Sequence, residues 1–141
     1  MSEIAFFDTN VLVYLHDRQW PEKRYAATHC FRRHFTDGTL VLSTQVLQEF
    51  FVTITEKLAH LALTQARALV ADYGRLNVVT IQSHHILSAI DIKAKFMLSF
   101  WDALILAAAK SAQARVLYSE DFSHGREYNG IRVQNPFRGE A

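Results

Sequence analysis

Four carboxylates stand where local structure supplies no obvious reason for them. Asp8 closes the apolar run Ile4-Ala5-Phe6-Phe7 and opens Asp8-Thr9-Asn10-Val11-Leu12, at the carboxyl end of a candidate strand. A turn or N-cap aspartate is the plain alternative there. Asp102 lies between Phe96-Met97-Leu98-Ser99-Phe100-Trp101 and Ala103-Leu104-Ile105-Leu106. Its helical neighbours three and four positions on are Ile105 and Leu106, so no local cation can pair with it. An isolated buried carboxylate costs several kcal/mol, roughly, unless it is protonated, hydrogen-bonded or bound to a metal. The plain alternative is an N-cap, a role for which Ser99 competes. Glu49 sits just off the apolar arc formed by Val46, Leu47, Phe50, Phe51 and Ile54, where it can face a cleft or simply water. Asp121, beside Glu120, follows Val116-Leu117-Tyr118, again at a strand's carboxyl end or in an acidic surface loop.

If these acids share one pocket, their charges repel, and some must hold protons at neutral pH unless a cation is present. Oxygen-only ligands select magnesium, calcium or manganese over zinc, and magnesium commonly joins carboxylates to a substrate phosphate. That donor set points to phosphoryl chemistry. No His-Glu-x-x-His spacing, Cys/His pairing or glycine-rich phosphate loop occurs, although the chain has seven histidines. Cys30 lies within a candidate helix and reads as a buried thiol.

Positioning such acids requires an alternation of strands and helices. Ile4–Phe7, Leu40–Leu42, Val78–Ile81, Val116–Tyr118 and Ile131–Val133 read as strands of continuous apolar character, suited to a sheet covered on both faces. Helices are expected from Pro21 to about Phe35, from Ser43 or Thr44 to about Lys57, from Thr64 to about Leu76, from Ser83 to about Phe96, and over about Trp101 to Gln113. Asp37-Gly38 should stop the first of these. The pattern predicts a single α/β domain over residues 1–141, with a mainly parallel sheet and right-handed crossovers. Ligands of such sheets bind beyond the carboxyl ends of the strands, where Asp8 and Asp121 fall.

The chain has 141 residues, of which 50% are hydrophobic, with 15 Lys and Arg against 14 Asp and Glu. Five glycines and two prolines leave little room for long loops. No apolar run reaches the ~20 residues of a membrane span. With one cysteine and no basic or apolar leader at Met1-Ser2-Glu3-Ile4, the expected home is a reducing cytoplasm. Setting aside the four pocket acids leaves the remainder basic. Lys23, Arg24, Arg32 and Arg33 after Pro21, and Arg126 near the last acid, become candidate phosphate contacts, or else a solvated helical face.

In their order and spacing, Asp8-Thr9-Asn10-Val11-Leu12, Glu49 within Ser43 to Phe50, Trp101-Asp102-Ala103, Ser119-Glu120-Asp121-Phe122 and the closing Asn135-Pro136-Phe137 resemble the PIN-domain ribonucleases. They are particularly similar to the VapC toxins of type II toxin–antitoxin systems, over essentially the whole chain. The resemblance implies a three-layer α/β/α domain with a mainly parallel five-stranded sheet, and hydrolysis of RNA phosphodiesters with Mg2+ or Mn2+. It implies Asp8 as principal ligand, Asp102 and Glu49 completing the shell, and Asp121 as fourth acid, with Thr9 and Ser119 orienting carboxylates or water. Many relatives carry Asn or Asp a few residues before the last Asp-Phe, whereas here Glu120 directly precedes Asp121, so both acids stay open at this corner. A homodimer and a cognate antitoxin are further implied. Two other readings remain on the same residues: a non-catalytic RNA- or protein-binding module, and an aspartyl-phosphate phosphatase, against which Asn10 stands where a second Asp is needed.

Overall fold

The structure is a computed structural model and describes residues 3–138; Met1 and Ser2, where the absence of a leader was read, lie outside the described residues. Twelve elements follow in order: β1 (Ala5–Phe7), α1 (Thr9–Tyr14), α2 (Pro21–Asp37), β2 (Leu40–Ser43), α3 (Thr44–Lys57), α4 (Leu63–Gly74), β3 (Asn77–Val79), α5 (Ser83–Phe96), α6 (Phe100–Ser111), β4 (Val116–Tyr118), β5 (Glu127–Tyr128) and β6 (Ile131–Gln134).

The sheet runs β3-β2-β1-β4-β6-β5, parallel throughout except for β5, which pairs antiparallel with β6. Every residue of β1, β2 and β4 is buried, as continuous apolar strands require when helices flank the sheet. The chain steps outward from β1 to β2 and β3, then returns through α5 and α6 to β4 on the other side of β1. This reversal makes the carboxyl ends of β1 and β4 a topological switch point, the place where open α/β sheets bind ligands. Phe7 is in register with Tyr118, so Asp8 and Ser119 emerge side by side.

Among the described residues six strands form where five were expected. The sixth arises from Asn129-Gly130, whose positive φ values of 49° and 87° turn Glu127–Tyr128 back onto Ile131–Arg132 in a tight hairpin. Asn-Gly is the usual signal for such a turn, because both positions need left-handed backbone. Of the two local roles open to Asp8, a turn or an N-cap, the structure shows the N-cap, at the head of a short helix, α1, that was not among the expected helices. Helix α4 begins one residue earlier than Thr64, with the Ala62 N–H bonded to Gln65 Oε1 at 2.8 Å. Gly38, in the left-handed region at φ 70°, ends α2 where Asp37-Gly38 was expected to.

Helix α3 holds Glu49 on a face anchored by Val46, Phe50 and Ile54, all fully buried. The Phe50 ring meets Tyr73 edge-on at 5.3 Å and His16 in a tilted contact at 5.8 Å. Phe50→Ala is expected to destabilise the protein by about 3–5 kcal/mol, read as a fall in the urea midpoint at constant m-value.

A candidate active site at the switch point

Asp8 is 5% exposed and fully committed to hydrogen bonds. Its Oδ1 accepts from the Thr9 N–H at 2.7 Å, capping α1, while Oδ2 accepts from Ser119 Oγ at 2.7 Å. The capping role and the pocket role therefore coincide in one residue. Ser119, fully buried, turns its oxygen to the Asp121 N–H at 3.0 Å. Asn10 Nδ2 donates to Asp121 Oδ2 at 3.0 Å, and Thr9 Oγ1 donates to Glu49 Oε1 at 2.9 Å. Gln45, one turn before Glu49, donates from Nε2 to Glu49 Oε2 at 3.5 Å and to the Trp101 carbonyl at 3.2 Å. Short polar side chains thus link three of the acids to one another.

Asp102 is the fourth. Ser99 takes the N-cap of α6, accepting from the Asp102 N–H at 3.1 Å, so the Asp102 carboxylate is not consumed by capping. It lines a cleft of about 720 Å³ together with Asp8, Glu49 and Asp121; Glu120, Asp17, Gln48 and the indoles of Trp20 and Trp101 complete much of its wall.

Burial pushes the Asp8 carboxyl up to about 7, and the charges of Asp121 and Glu49 push the same way. The bonds from Ser119 and Thr9 favour the charged form but do not outweigh desolvation. Asp102 is also raised, first by burial and then by Asp121, with the Ser99 hydroxyl opposing. At the last corner Asp121 is the acid felt by both Asp8 and Asp102. Glu120 lines the same cleft but is already engaged: it accepts from Tyr14 Oη and is paired with Lys23 Nζ, each at 3.1 Å.

The four acids line one cleft but do not close around a point: among the described residues, no three His, Cys, Asp or Glu side chains gather as a ready-made ion cage. Carboxylates that share a cleft raise one another's pKa unless a cation lies between them. The donor set still fits a hard divalent ion: all oxygen, with Asp8 held deprotonated only against a strong desolvation penalty.

The PIN domain family model matches residues 5–126, which covers β1 through the last acid. The chain belongs to the PIN-domain family. No curated protein matches it in a sequence search. This PIN domain is similar in structure to a chain of a toxin–antitoxin complex from Klebsiella pneumoniae, with 20% identity, a TM-score of 0.66, and coverage of 94% of this chain and 97% of that one. A chain of DNA-bound VapBC from Salmonella typhimurium aligns at 18% identity and TM-score 0.68, covering 96% and 99%. VapC20 of Mycobacterium tuberculosis, a toxin that cleaves the sarcin–ricin loop, aligns at 16% identity and TM-score 0.59, covering 83% and 89%.

None of the five basic residues expected as phosphate contacts lines the cleft, whereas Lys57 does. Lys23 alone of the five reaches an acid of the cleft wall, Glu120, and it is held there by Glu120 and Tyr14 with its ammonium over the Tyr14, Trp20 and Phe137 rings. Arg33 donates to Tyr118 Oη at 2.6 Å, and Arg126 lies over the Tyr128 ring at 4.7 Å. Arg24 and Arg32 are exposed on α2. Residues passed over in the sequence prove central: Asn10, two places after Asp8, and Gln45, four before Glu49. For Gln45 the spacing was available as a signal, since an i,i+4 pair shares a helix face, whereas Asn10 meets Asp121 across 111 positions. Nothing local marks Trp20 or Asp17.

Proposed function

We propose that this PIN domain is a metal-dependent endoribonuclease that hydrolyses RNA phosphodiester bonds, and that it is the toxin of a toxin–antitoxin pair. One observation carries the reading: acids from four separate segments line a single cleft in which burial raises Asp8 to about 7, so the cleft cannot hold its full negative charge near neutrality without a counter-ion. Asp8, Glu49, Asp102 and Asp121 would hold Mg2+ or Mn2+, which supplies Lewis acidity at the phosphate and offsets charge on the leaving oxygen.

The chain's own groups then divide the work. Ser119 Oγ and the Thr9 N–H keep Asp8 in one rotamer with both oxygens engaged. Thr9 Oγ1 and Gln45 fix Glu49, and Asn10 fixes Asp121. Such partners commonly govern ligand geometry as strongly as the ligands themselves. Asn10→Ala, which frees Asp121, is expected to lower cleavage by about 10- to 100-fold with little change in melting temperature. Initial rates at saturating Mg2+ or Mn2+ check this.

The likeness to chains of toxin–antitoxin complexes supports an antitoxin partner, and a homodimer and a cytoplasmic location belong to the same proposal. Among the described residues no helix is long and apolar enough to cross a membrane. The open spacing of the acids favours, as second reading, a binding module that contacts RNA or protein without chemistry. Incubation with total RNA separates the two. Cleavage that needs Mg2+ or Mn2+ and stops with a chelator is expected; intact RNA, with no heat of manganese binding, would leave the binding module.

A further inference from the structure

Three large hydrophobic side chains of the cleft wall are exposed: Trp101 at 62%, Trp20 at 52% and Val52 at 50%. Two are indoles, from different parts of the fold. Trp20 precedes Pro21 at the start of α2, and Trp101 lies in the first turn of α6, directly before Asp102. Both are held in place. The Trp20 ring lies 5.6 Å from the Lys23 ammonium, itself fixed by Glu120, and the Trp20 carbonyl accepts from the Arg24 N–H at 2.9 Å. The Trp101 ring is set edge-on to Phe100 at 5.2 Å, and its carbonyl is tied through Gln45 to Glu49.

Leaving two indoles in water forfeits a large burial gain, so a ligand that covers them recovers it. The surroundings select the ligand. The exposed aliphatic side chains Ile86, Leu87 and Ile90 lie on α5, with Met97 just past its end, and none of them lines the cleft. The cleft sets its two indoles among carboxylates and side-chain amides, with Val52 as its one exposed large aliphatic side chain among the described residues, so aromatic faces rather than an aliphatic patch dominate its exposed apolar surface. Planar groups that carry a π face and hydrogen-bonding edges fit that combination, and unstacked nucleobases are such groups.

We propose that Trp20 and Trp101 are stacking platforms for unpaired nucleobases of an RNA strand whose phosphate lies at the acids. The inference rests on the ribonuclease reading and adds two specificity-determining residues to it. Stacking needs a splayed base, so a base-paired strand is rejected and sequence preference follows stacking strength.

The test uses the Asp8→Asn protein, so that turnover does not confuse binding, and follows quenching of tryptophan emission by single-stranded oligoadenylate. Trp20→Ala and Trp101→Ala are each expected to weaken binding by about 5- to 100-fold, and Trp→Phe at either site to restore most of it. The same oligomer hybridised to its complement, and an abasic ribose-phosphate oligomer, should bind weakly and show little difference between the Trp and Ala proteins. Equal affinity of the Trp and Ala proteins for oligoadenylate, at unchanged circular dichroism, overturns the proposal. So does an unchanged RNA affinity accompanied by loss of self-association, which would assign the indoles to a protein contact. Stacking without any cleavage by the wild-type chain would instead retain the platforms and remove the nuclease.

Discussion

Asp8→Asn is expected to reduce RNA cleavage by about three orders of magnitude, in keeping with the several kcal/mol that a bound cation supplies to charge development at phosphorus. The fold should survive. Asn is nearly isosteric, its Oδ1 can take the N-cap hydrogen bond from Thr9, and the Ser119 hydroxyl can rotate to accept from Nδ2. Loss of activity with retained structure thus isolates the charge. Cleavage rates measured across a range of Mn2+ concentrations should show no recovery at saturation, whereas Asn10→Ala should recover in part. Full activity in Asp8→Asn would contradict the assignment of Asp8 as principal ligand.

The second large effect is on stability. Asp8 stands near 7 in the folded chain against an ordinary value of 3.8, so the folded state binds its proton more tightly than the unfolded state does. Protonation therefore favours folding: this contribution is complete below about pH 3.8, declines as the pH rises, and is lost above about 7. The loss is at most about 4 kcal/mol across that window. Without divalent ions the melting temperature should fall between pH 5 and pH 8, after other groups are matched by comparison with Asp8→Asn, which should lack this component. Saturating Mg2+ or Mn2+ should reverse the fall, because a ligand that binds only the folded state stabilises it by mass action. A melting temperature equally insensitive to pH and to metal in both proteins would remove Asp8 from the site.

Much of the fold was legible because its signals are local. The apolar runs Ala5–Phe7, Leu40–Leu42 and Val116–Tyr118 announce central buried strands, and Pro21 and Gly38 bracket α2 from its two ends. The sixth strand was missed although its turn was written in Asn129-Gly130, because a two-residue strand is too short to show any periodicity. Helix α1 was not among the expected helices for a related reason: an Asp at that place can cap a helix or open a turn, and six residues are too few to show a helical period.

By itself, the sequence determined which acids lack a local partner and that they fall at strand ends or beside buried helix faces, since those facts depend on neighbours within one turn or one strand. Only the tertiary structure decided that Asp121 is the acid of the last corner whose charge Asp8 feels, that Asn10 orients it, and that Lys23 is bound to Glu120 while the arginines lie elsewhere. The decisive bonds join residues 40 to 111 positions apart, as Thr9 to Glu49 and Ser119 to Asp8. Contacts of that span are set by strand order and by the return of the chain across β1, which no residue spacing within a segment encodes.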